Sequence, residues 1–456
     1  MECDVSKWYR SGKFAALLAA AMILASAAFF AGARWGDVLF DSAAAPNSPP
    51  VPLQPRDGAP PPVAEAAAPA STAPIPATAV PTVAEPPRLL PPAAEFERQA
   101  ALLLGCNELV RWHSRVFVNI VSAAYPTTRL IGLVGNEEEL GIARRLVKEA
   151  HLPASSITFV MLPMDTMWVR DYGPLFTRRS DGAVVLVDSD YSEVDDQRER
   201  RADDASPKRF GEMLRLPVTE LPLHLEGGNL LTNGDGICVS TTSLITRNAG
   251  RGLDTQGIGR VLHDRFGFRT WVYLKALAGE PTGHADMFVT FLGRNVAVVG
   301  QVDPETDPAN AKIMDEAAAL LAGEKTSEGP MKVHRIPMPP NPDGQWRSYT
   351  NVIFANKTLL VPTYSDVDPA IQKQAFALYA GLLPDWKIVG IDADSLTEKR
   401  GILHCITMHV PGFVPVDELV EPAGGPRLAE EDDTPRVVVS PAMRLAGTTP
   451  GKDETP

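Results

Sequence analysis

The middle of the chain repeats one order of elements, and this repetition limits the fold more than any other feature of the sequence. Residues 129–134 have the pattern of a strand, 137–150 that of an amphipathic helix and 157–162 that of a second strand. The same order recurs over 359–391, and part of it over 296–322. Because units of this mixed type recur at intervals, we predict an α/β fold built from internal repeats. Periodicity leaves the arrangement of the sheets open.

The N-terminus has the composition of a targeting segment. Lys7, Arg10 and Lys13 precede an uncharged, mostly apolar run over 14–33 that ends in small residues. Such a run has the small-residue end of a cleaved signal peptide and nearly the ~20 residues that span a bilayer as a helix. We therefore expect residues 1–33 to be a signal peptide or a single membrane anchor. The rest of the chain would then be exported, to the periplasm, the medium or the outer side of a membrane; a cytoplasmic protein with an apolar N-terminus is the alternative.

Two flanking regions lack the large apolar side chains that a core requires. Residues 34–93 are rich in proline and alanine, which predicts an extended linker. Residues 414–456 are acidic and rich in proline, which predicts a disordered tail. The globular domain is therefore expected over 94–413.

Charge and cysteine content exclude several classes of function. The formal net charge of −13 argues against nucleic acid as a partner, because an acidic surface repels phosphates. The four cysteines show no paired spacing, so neither a zinc site nor a dense disulfide framework is indicated. Cys106 and Cys238 could pair in an oxidising compartment, but the sequence gives no geometry for this bond.

Four short stretches gather acidic, histidine and cysteine residues beside glycines, at 165–174, 225–236, 283–286 and 401–408. They contain the motifs W-x-R-D-Y-G-P, E-G-G-N, G-H-x-D and H-C-x-T. A cysteine and a distant histidine are the minimum for thiolate catalysis. Such a pair alone is weak, because most free cysteines are buried structural thiols.

The four motifs in this order, with a further match over 348–364, resemble the agmatine deiminase and bacterial peptidylarginine deiminase family, within the guanidino-group-modifying enzymes. The resemblance covers about residues 130–411. It implies a five-bladed α/β propeller (pentein) of ββαβ-type repeats around a central active site. It also implies a small guanidine or peptidyl-arginine substrate. Because the motifs supply a nucleophile, an acid/base and two carboxylates without zinc-like spacing, we expect no metal and no organic cofactor.

The resemblance assigns three chemical roles to positions of this chain. Cys405 in H-C-x-T is the nucleophile, and His284 in G-H-x-D is its acid/base partner. Glu226 in E-G-G-N orients His284 and favours its charged form; a loop carboxylate that caps nearby backbone amides is the alternative. The implied reaction is hydrolytic deimination, in which a covalent amidino intermediate on Cys405 is hydrolysed to a ureido product after ammonia has left.

Four further residues are expected to bind the substrate. Asp171 and Asp286 are carried over as the carboxylates that clamp the guanidinium, a planar cation whose fork of N–H groups matches a carboxylate. If the G-H-x-D stretch is extended, His284 and Asp286 point to the same side. Trp168 is either a partner that stacks on the guanidinium or a buried core residue. Asn351 resembles the family's substrate-pocket asparagine.

Several neighbouring residues are predicted to have structural roles. Arg170 is expected to pair with a local carboxylate. Gly227, Gly228 and Gly283 are expected to permit tight turns. The charged run over 198–204 is expected to be a solvated loop.

The choice of substrate remains open in the sequence. After residue 191 the chain has neither the Y-N-R-P-R segment of the bacterial peptidylarginine deiminases nor the W-G-G-type segment of the agmatine deiminases. The export signal favours peptidyl-arginine or a small arginine derivative, which the enzyme would citrullinate. Three alternatives stand beside it: an agmatine deiminase that makes N-carbamoylputrescine for putrescine biosynthesis, an amidinotransferase, and a non-catalytic guanidine sensor. The sequence gives no oligomeric state.

Overall fold

The computed structural model describes residues 87–191, 200–341, 343–420 and 437–439. The expected signal segment over 1–33 and the linker up to residue 86 lie outside these residues. Within the described part of the chain, no helix has the length and apolar character needed to cross a membrane.

Helices and strands alternate along the described chain. The helices are α1 (Cys106–Trp112), α2 (Ser114–Ala124), α3 (Glu137–Glu149), α4 (Val169–Tyr172), α5 (Arg201–Asp204), α6 (Ser206–Leu214), α7 (Ser243–Asn248), α8 (Thr255–Phe266), α9 (Pro308–Ala322), α10 (Pro369–Leu382), α11 (Asp394–Thr397) and α12 (Asp417–Val420). The strands are β1 (Leu89–Leu90), β2 (Gln99–Gly105), β3 (Leu130–Val134), β4 (Thr158–Met161), β5 (Leu175–Arg179), β6 (Val184–Asp190), β7 (Val218–His224), β8 (Leu231–Thr232), β9 (Ile237–Thr241), β10 (Thr270–Leu274), β11 (Val289–Gly293), β12 (Val296–Gln301), β13 (Lys325–Thr326), β14 (Gly329–Pro330), β15 (Lys332–Pro337), β16 (Ile353–Ala355), β17 (Thr358–Thr363), β18 (Lys387–Asp392), β19 (Thr407–Pro411) and β20 (Val437–Val439).

Five sheets of the described chain share one strand pattern, in which a first strand pairs antiparallel with a second and the second pairs parallel with a third. They are β5–β6–β7, β8–β9–β10, β11–β12–β15, β16–β17–β18 and β19–β2–β3. One or two helices connect the second strand to the third in every sheet, as a parallel neighbour requires. The structure is therefore a mixed α/β fold of five similar units.

Two of these sheets have additional strands. β1 pairs antiparallel with β5, and β4 and β20 extend the last sheet in parallel beyond β3. In that sheet β19, late in the chain, pairs with β2, near the start of the described residues. This pairing joins the two ends of the domain.

Four helices of the described chain, α3, α8, α9 and α10, begin after a residue whose side chain accepts a hydrogen bond from a free backbone amide. The Asn136 side chain accepts a hydrogen bond from the Glu139 amide at the start of α3, and Glu139 in turn accepts one from the Gly135 amide. α9 and α10 each begin with a proline that follows a capping aspartate, Asp307 or Asp368. A proline at the first helical position loses no hydrogen bond, because that amide has no partner inside the helix.

The elements predicted from periodicity are confirmed, with ends that differ by one to three residues. The first predicted unit corresponds to β3, α3 and β4, and the unit over 359–391 corresponds to β17, α10 and β18. The unit over 296–322 corresponds to β12 and α9. The tail differs from its prediction at two places, because α12 and β20 lie within 414–456 where disorder was expected. The remainder of the tail from residue 421 lies outside the described residues.

The apolar side chains form a core between the helices and the sheets. Cys106 packs in one core cluster and Cys238 in another. Both are free thiols. The disulfide that the sequence allowed between them is therefore not formed in this structure.

Candidate active site

The residues singled out in the sequence lie on the connections between successive sheets. Each connection follows the parallel strands of one sheet and precedes the first strand of the next. The positions are Asp171 after β4, Glu226 after β7, His284 and Asp286 after β10, Asn351 after β15, and Cys405 after β18. Five stretches that are far apart in sequence thus each supply part of one site.

The G-H-x-D stretch is a turn and not the strand considered in the sequence analysis. His284 has extended dihedral angles and stands before a 3₁₀ turn, Ala285–Met287, which contains Asp286. Gly283 precedes it with φ +68°, a left-handed conformation that favours glycine, so the predicted turn role of this glycine is confirmed. The change of direction at this turn, and not strand alternation, brings the imidazole and the carboxylate to one site.

His284 is held by Glu226. The Nε2 atom of His284 is 2.9 Å from Glu226 Oε2, and the Nη1 atom of Arg247 is 2.9 Å from the same oxygen. The Glu226 side chain makes no helix-capping bond, so the alternative role as a cap is not what the structure has. Although burial opposes it, the charges of Asp171 and Glu226 raise the pKa of His284 to about 10. The imidazole is therefore protonated at neutral pH, as a proton donor to a leaving group requires.

The first glycine and the asparagine of E-G-G-N act through close approach and hydrogen bonding. A Cβ atom on Gly227 would lie 2.2 Å from the Arg170 carbonyl oxygen, and Gly227 and Gly228 have no positive φ. Both glycines lie in the tight 3₁₀ turn Gly227–Asn229, as expected, but this turn needs no left-handed residue. Asn229 accepts hydrogen bonds from the amides of Thr241 and Ala285, which ties the E-G-G-N turn to the turn that contains Asp286.

Three side chains of the predicted site meet in front of Gly228. A Cβ atom at this residue would lie 2.6 Å from His284 Nδ1, 3.1 Å from Asp171 Oδ1 and 3.2 Å from Asp286 Oδ2. Because only glycine leaves this volume free, the imidazole and both carboxylates can border the same small space. The structure thus brings together the two predicted clamp residues and the predicted acid/base.

Both predicted clamp carboxylates have a buried oxygen without a hydrogen-bond partner among the described residues. These atoms are Asp171 Oδ1 and Asp286 Oδ1. A buried acceptor that is left unsatisfied costs about 1–3 kcal/mol. Other buried polar atoms of the described chain also lack a partner, but these two belong to carboxylates that border one space. Burial, together with the charges of Glu226 and Asp286, raises the pKa of Asp171 despite the opposing charge of His284. A cation bound between these oxygens would relieve both effects.

The Cys405 thiol is buried beside Asn351. Its Sγ atom is 3.6 Å from Asn351 Nδ2, and Asn351 Oδ1 accepts a hydrogen bond from the His404 amide at 2.8 Å. Burial and the charges of Asp286 and Asp171 hold the pKa of the thiol well above its ordinary value. The two carboxylates whose charges raise the pKa of the thiol are thus the same two that each have an oxygen without a hydrogen-bond partner.

Trp168 lies immediately before α4, half-buried. A Cβ atom on Gly401 would lie 2.2 Å from its ring, so the indole packs against the start of the stretch that contains Cys405. Its other contacts are with the apolar core. No cation–π contact involves it in the described part of the chain, and its stacking role stays a prediction.

Several residues near this site, or their partners, were not predicted from the sequence. Arg170 pairs with Glu95, 75 residues away, at 2.7 Å and not with a local carboxylate. His404 stood beside the nucleophile in H-C-x-T, which was a signal for it, whereas nothing in the sequence marked Glu95. Arg247 and Asp203 were also missed.

Asp203 corrects the expectation of a solvated loop over 198–204. Its side chain is fully buried and accepts hydrogen bonds from the Asp165 and Thr166 amides and from the Thr166 hydroxyl. It therefore fixes the start of the W-x-R-D stretch. The residues before 200 in this run lie outside the described part of the chain.

Two groups of side chains offer donor atoms at spacings suited to a metal ion: Asp171, Glu226 and His284, and Glu95, His404 and His409. In the first, the raised pKa of His284 keeps a proton on the nitrogen that a metal would need. In the second, the guanidinium of Arg170 lies 2.7 Å from Glu95 Oε1 and 2.8 Å from His409 Nδ1. In the first group a metal would have to displace the proton of His284, and in the second it would have to displace the Arg170 guanidinium.

Known proteins resemble this chain over its globular region. The profile of the family described as Porphyromonas-type peptidyl-arginine deiminase matches residues 93–411. A Listeria monocytogenes protein assigned as an agmatine deiminase is 26% identical over 303 residues, which are 58% of this chain and 81% of that protein.

Solved structures share the fold. The structure of a protein assigned as an arginine deiminase from Porphyromonas gingivalis is 24% identical, with a TM-score of 0.62, and the match covers 72% of this chain and 99% of that one. The agmatine deiminase of Enterococcus faecalis is 21% identical, with a TM-score of 0.61, and the match covers 71% of this chain and 96% of that one.

Proposed function

The chain belongs to the Porphyromonas-type peptidyl-arginine deiminase family, and we propose that it deiminates the guanidinium of an arginine derivative through a covalent intermediate on Cys405. Its class is that of the C–N hydrolases that deiminate guanidino groups. One observation carries the proposal: Asp171 Oδ1 and Asp286 Oδ1 are buried and have no hydrogen-bond partner within the described residues, and the nearest cation to Asp171 Oδ1 is His284 Nδ1 at 3.7 Å. Asp171, Asp286 and His284 border the same space.

The two carboxylates are suited to clamp a guanidinium. The cation is planar and permanently charged, and its N–H groups match carboxylate oxygens two at a time. With Asp171 on one connection and Asp286 on another, the bound cation would be fixed in orientation as well as in charge. This orientation contributes to catalysis, because it places the central carbon of the guanidinium next to the thiol before the reaction begins.

Binding of the cation would also activate Cys405. The charges of Asp286 and Asp171 contribute to the raised pKa of the thiol. A guanidinium between them offsets both charges, so the thiol releases its proton to solvent more easily when substrate is bound than when it is absent. His284, already protonated, keeps its own proton for the leaving group. The thiolate sulfur then bonds to the guanidinium carbon, and one C–N π pair moves onto nitrogen to give a tetrahedral adduct.

His284 would serve as acid and then as base. The imidazolium donates its proton to the departing nitrogen, the C–N bond breaks, and ammonia leaves an amidino group on the Cys405 sulfur. Neutral His284 then takes a proton from water, the hydroxide adds to the same carbon, and the C–S bond breaks to release the ureido product. General acid/base catalysis of this type contributes about 10²–10⁴-fold in rate. Glu226 holds the imidazole and stabilises its charged form.

The proposed substrate class is peptidyl-arginine or a small arginine derivative. A guanidinium at the end of an alkyl chain suits this site, because Cys405, His284 and Asp286 are all buried and the cation must be carried inward to them. Agmatine is the second candidate, favoured by the curated relatives, which carry the name agmatine deiminase. The product would then be N-carbamoylputrescine.

We propose two further properties for the whole chain. The five similar sheets, with a functional residue on each connection between them, support an arrangement as the five-bladed propeller of the pentein fold. The apolar run over 14–33 supports export, with the run cleaved or kept as an anchor. N-terminal sequencing of the native protein decides the second point; a soluble cytoplasmic chain that still begins at Met1 would contradict it.

The function is tested by incubating the purified protein with arginine peptides, arginine and agmatine. We expect both ammonia and a ureido product, measured by separate assays, and no product from Cys405→Ala. Ureido product from none of the guanidines would refute the proposal. Loss of substrate without ammonia, in the presence of an amine, would indicate an amidinotransferase. Binding without turnover, equal in the parent and Cys405→Ala, would indicate a sensor.

A further inference from the structure

Glu95 lies at the start of the described globular region and reaches the inner side of the active site. Its Oε1 atom is 2.7 Å from Arg170 Nη1, and its Oε2 atom is 2.8 Å from His404 Nε2. A cavity bordered by Glu95, Arg170 and His409 gives the carboxylate partial contact with solvent. None of the roles derived above uses this residue.

His404 connects Glu95 to the substrate clamp. Its Nδ1 atom is 2.7 Å from Asp286 Oδ2, on the other side of the ring from Glu95. Both ring nitrogens therefore face carboxylates, and only the imidazolium form can donate a hydrogen bond to each of them. The other oxygen of Asp286 is the unpaired atom assigned to the guanidinium.

Charges alternate along this line of residues. Arg170 is positive, Glu95 negative, His404 positive when protonated, and Asp286 negative. Burial and the charge of Arg170 oppose protonation of His404, but its contacts with Glu95 and Asp286 outweigh them and raise its pKa. Although burial opposes it, Arg170 and His404 hold the pKa of Glu95 well below its ordinary value.

The charged and titratable groups that contact this line come from several elements. His409 on β19 has Nδ1 3.3 Å from Glu95 Oε1, and its Nε2 atom is 2.9 Å from the Phe354 carbonyl oxygen. Burial lowers the pKa of His409. The neutral ring can accept a hydrogen bond from Arg170 and donate one to that carbonyl. Cys405 follows His404 directly in the chain, and its thiol lies within the influence of Asp286.

We propose that Glu95 is a positioning residue of the active site: through His404 it holds the Asp286 carboxylate in the orientation that faces the guanidinium. This inference rests on the proposed deiminase function. It also gives the segment that follows the linker a part in substrate binding, because Glu95 lies within a few residues of the linker's predicted end. Without the Glu95 charge, His404 is buried beside Arg170 and loses its proton more easily. Asp286 and Asp171 then face each other with one positive neighbour fewer, and the pKa of Asp171, already raised by burial, rises further.

The test compares Glu95→Gln with Glu97→Gln in the full chain. Glu97 lies in the same segment and also pairs with an arginine, Arg294 at 3.1 Å, but this arginine is exposed. The other hydrogen bond that the Glu97 carboxylate accepts comes from the Ala94 backbone amide, which a glutamine oxygen can also accept. For Glu95→Gln we expect KM for the best guanidine substrate to rise about tenfold at pH ~7, with a smaller change in kcat. The acid limb of kcat/KM should move to higher pH by about one unit, and activity should recover as the pH rises. Glu97→Gln should match the parent in both respects.

Three outcomes would overturn the inference while leaving the deiminase assignment intact. They are an unchanged pH profile in Glu95→Gln, an equal change in Glu97→Gln, and a fall in kcat at constant KM with a lowered Tm, which a purely structural role predicts. Binding of a guanidine inhibitor to Cys405→Ser, with and without Glu95→Gln, gives a readout that needs no turnover; equal affinities across pH would also overturn it. An inactive parent enzyme would instead contradict the proposed function.

Discussion

Substitution of Gly228 by alanine should separate catalysis from folding. The added methyl group would lie 2.6 Å from His284 Nδ1, about 0.8 Å inside the 3.4 Å at which ordinary contacts begin, and 3.1 Å from Asp171 Oδ1. All the atoms it meets are the ends of side chains, so the backbone does not have to move. The side chains that must give way are the acid/base and the clamp.

The size of the effect follows from that displacement. A misplacement of about 1 Å in a catalytic group can cost roughly 100-fold in rate. His284 cannot retreat freely, because Nε2 is bonded to Glu226 and the pair is buried. We therefore expect kcat/KM to fall about 100-fold in Gly228→Ala. The free energy of unfolding should change by no more than the ~1–3 kcal/mol typical of one extra methyl group in a packed site.

The assay is ureido-product formation under steady-state conditions, with urea denaturation of the same samples. Gly141→Ala is the matched control, because Gly141 is exposed on α3 and a Cβ atom there meets nothing within 4 Å. It should keep full activity and gain up to about 1 kcal/mol of stability, as alanine favours a helix. Gly227→Ala gives the opposite contrast, since its Cβ would meet backbone at 2.2 Å and should destabilise the fold. A Gly228→Ala enzyme within threefold of the parent in kcat/KM would refute the assignment of this space to the guanidinium and His284.

Four other predictions test the site. Asp171→Asn should lose roughly 10- to 150-fold in kcat/KM, because hydrogen bonds to charged groups contribute about 1.5–3 kcal/mol; it should also bind a guanidine inhibitor more weakly than Cys405→Ser does, and the reverse order of affinities would exchange the two roles. Because burial raises the pKa of Asp171, kcat/KM of the parent should rise with pH as this carboxyl ionises, and a profile without an acid limb would contradict this. Arg247→Ala removes a cation 2.9 Å from Glu226, so the pKa of Glu226 should rise and kcat should fall about tenfold in steady-state assays. Arg247→Lys should recover part of this loss, and equal kcat in the parent and both variants would show that the Arg247–Glu226 pair is dispensable. Asp203→Ala leaves buried amides without an acceptor and should lower the free energy of unfolding by about 1–3 kcal/mol in urea denaturation, whereas an unchanged midpoint would deny it a role in holding the W-x-R-D stretch.

Much of the fold was accessible from periodicity and capping. The α3 helix follows from its apolar spacing and from Asn136, and α10 from the Asp368–Pro369 start. The number of sheets and their pairing could not be read in this way, because each sheet joins strands across a helical crossover and β19 pairs with β2 from near the opposite end of the described chain. Pairing between distant segments leaves no local periodic signal.

The sequence predicted the members of the candidate site better than their geometry. The Asp171, Glu226, His284, Asp286 and Cys405 positions follow from motif resemblance, and the structure places the first four in mutual contact or around one space. Whether G-H-x-D is extended was left as a condition, because four residues are too few to distinguish a strand from a 3₁₀ turn. The chemical roles of the five motif residues stay predictions, which the variants above test.

By itself the sequence determined which chemistry is available: a thiol, an imidazole and acidic groups in an ordered set of motifs. Residue types fix pKa ranges and hydrogen-bonding capacity, and these are local properties. Only the tertiary structure decided which groups act on one another. It paired Arg170 with Glu95 across 75 residues, buried Asp203 in a run that looked solvated, and left Gly228 as the open space between three charged side chains. Charge, burial and distance between groups depend on contacts among segments far apart in the chain, and these contacts exist only once the chain has folded.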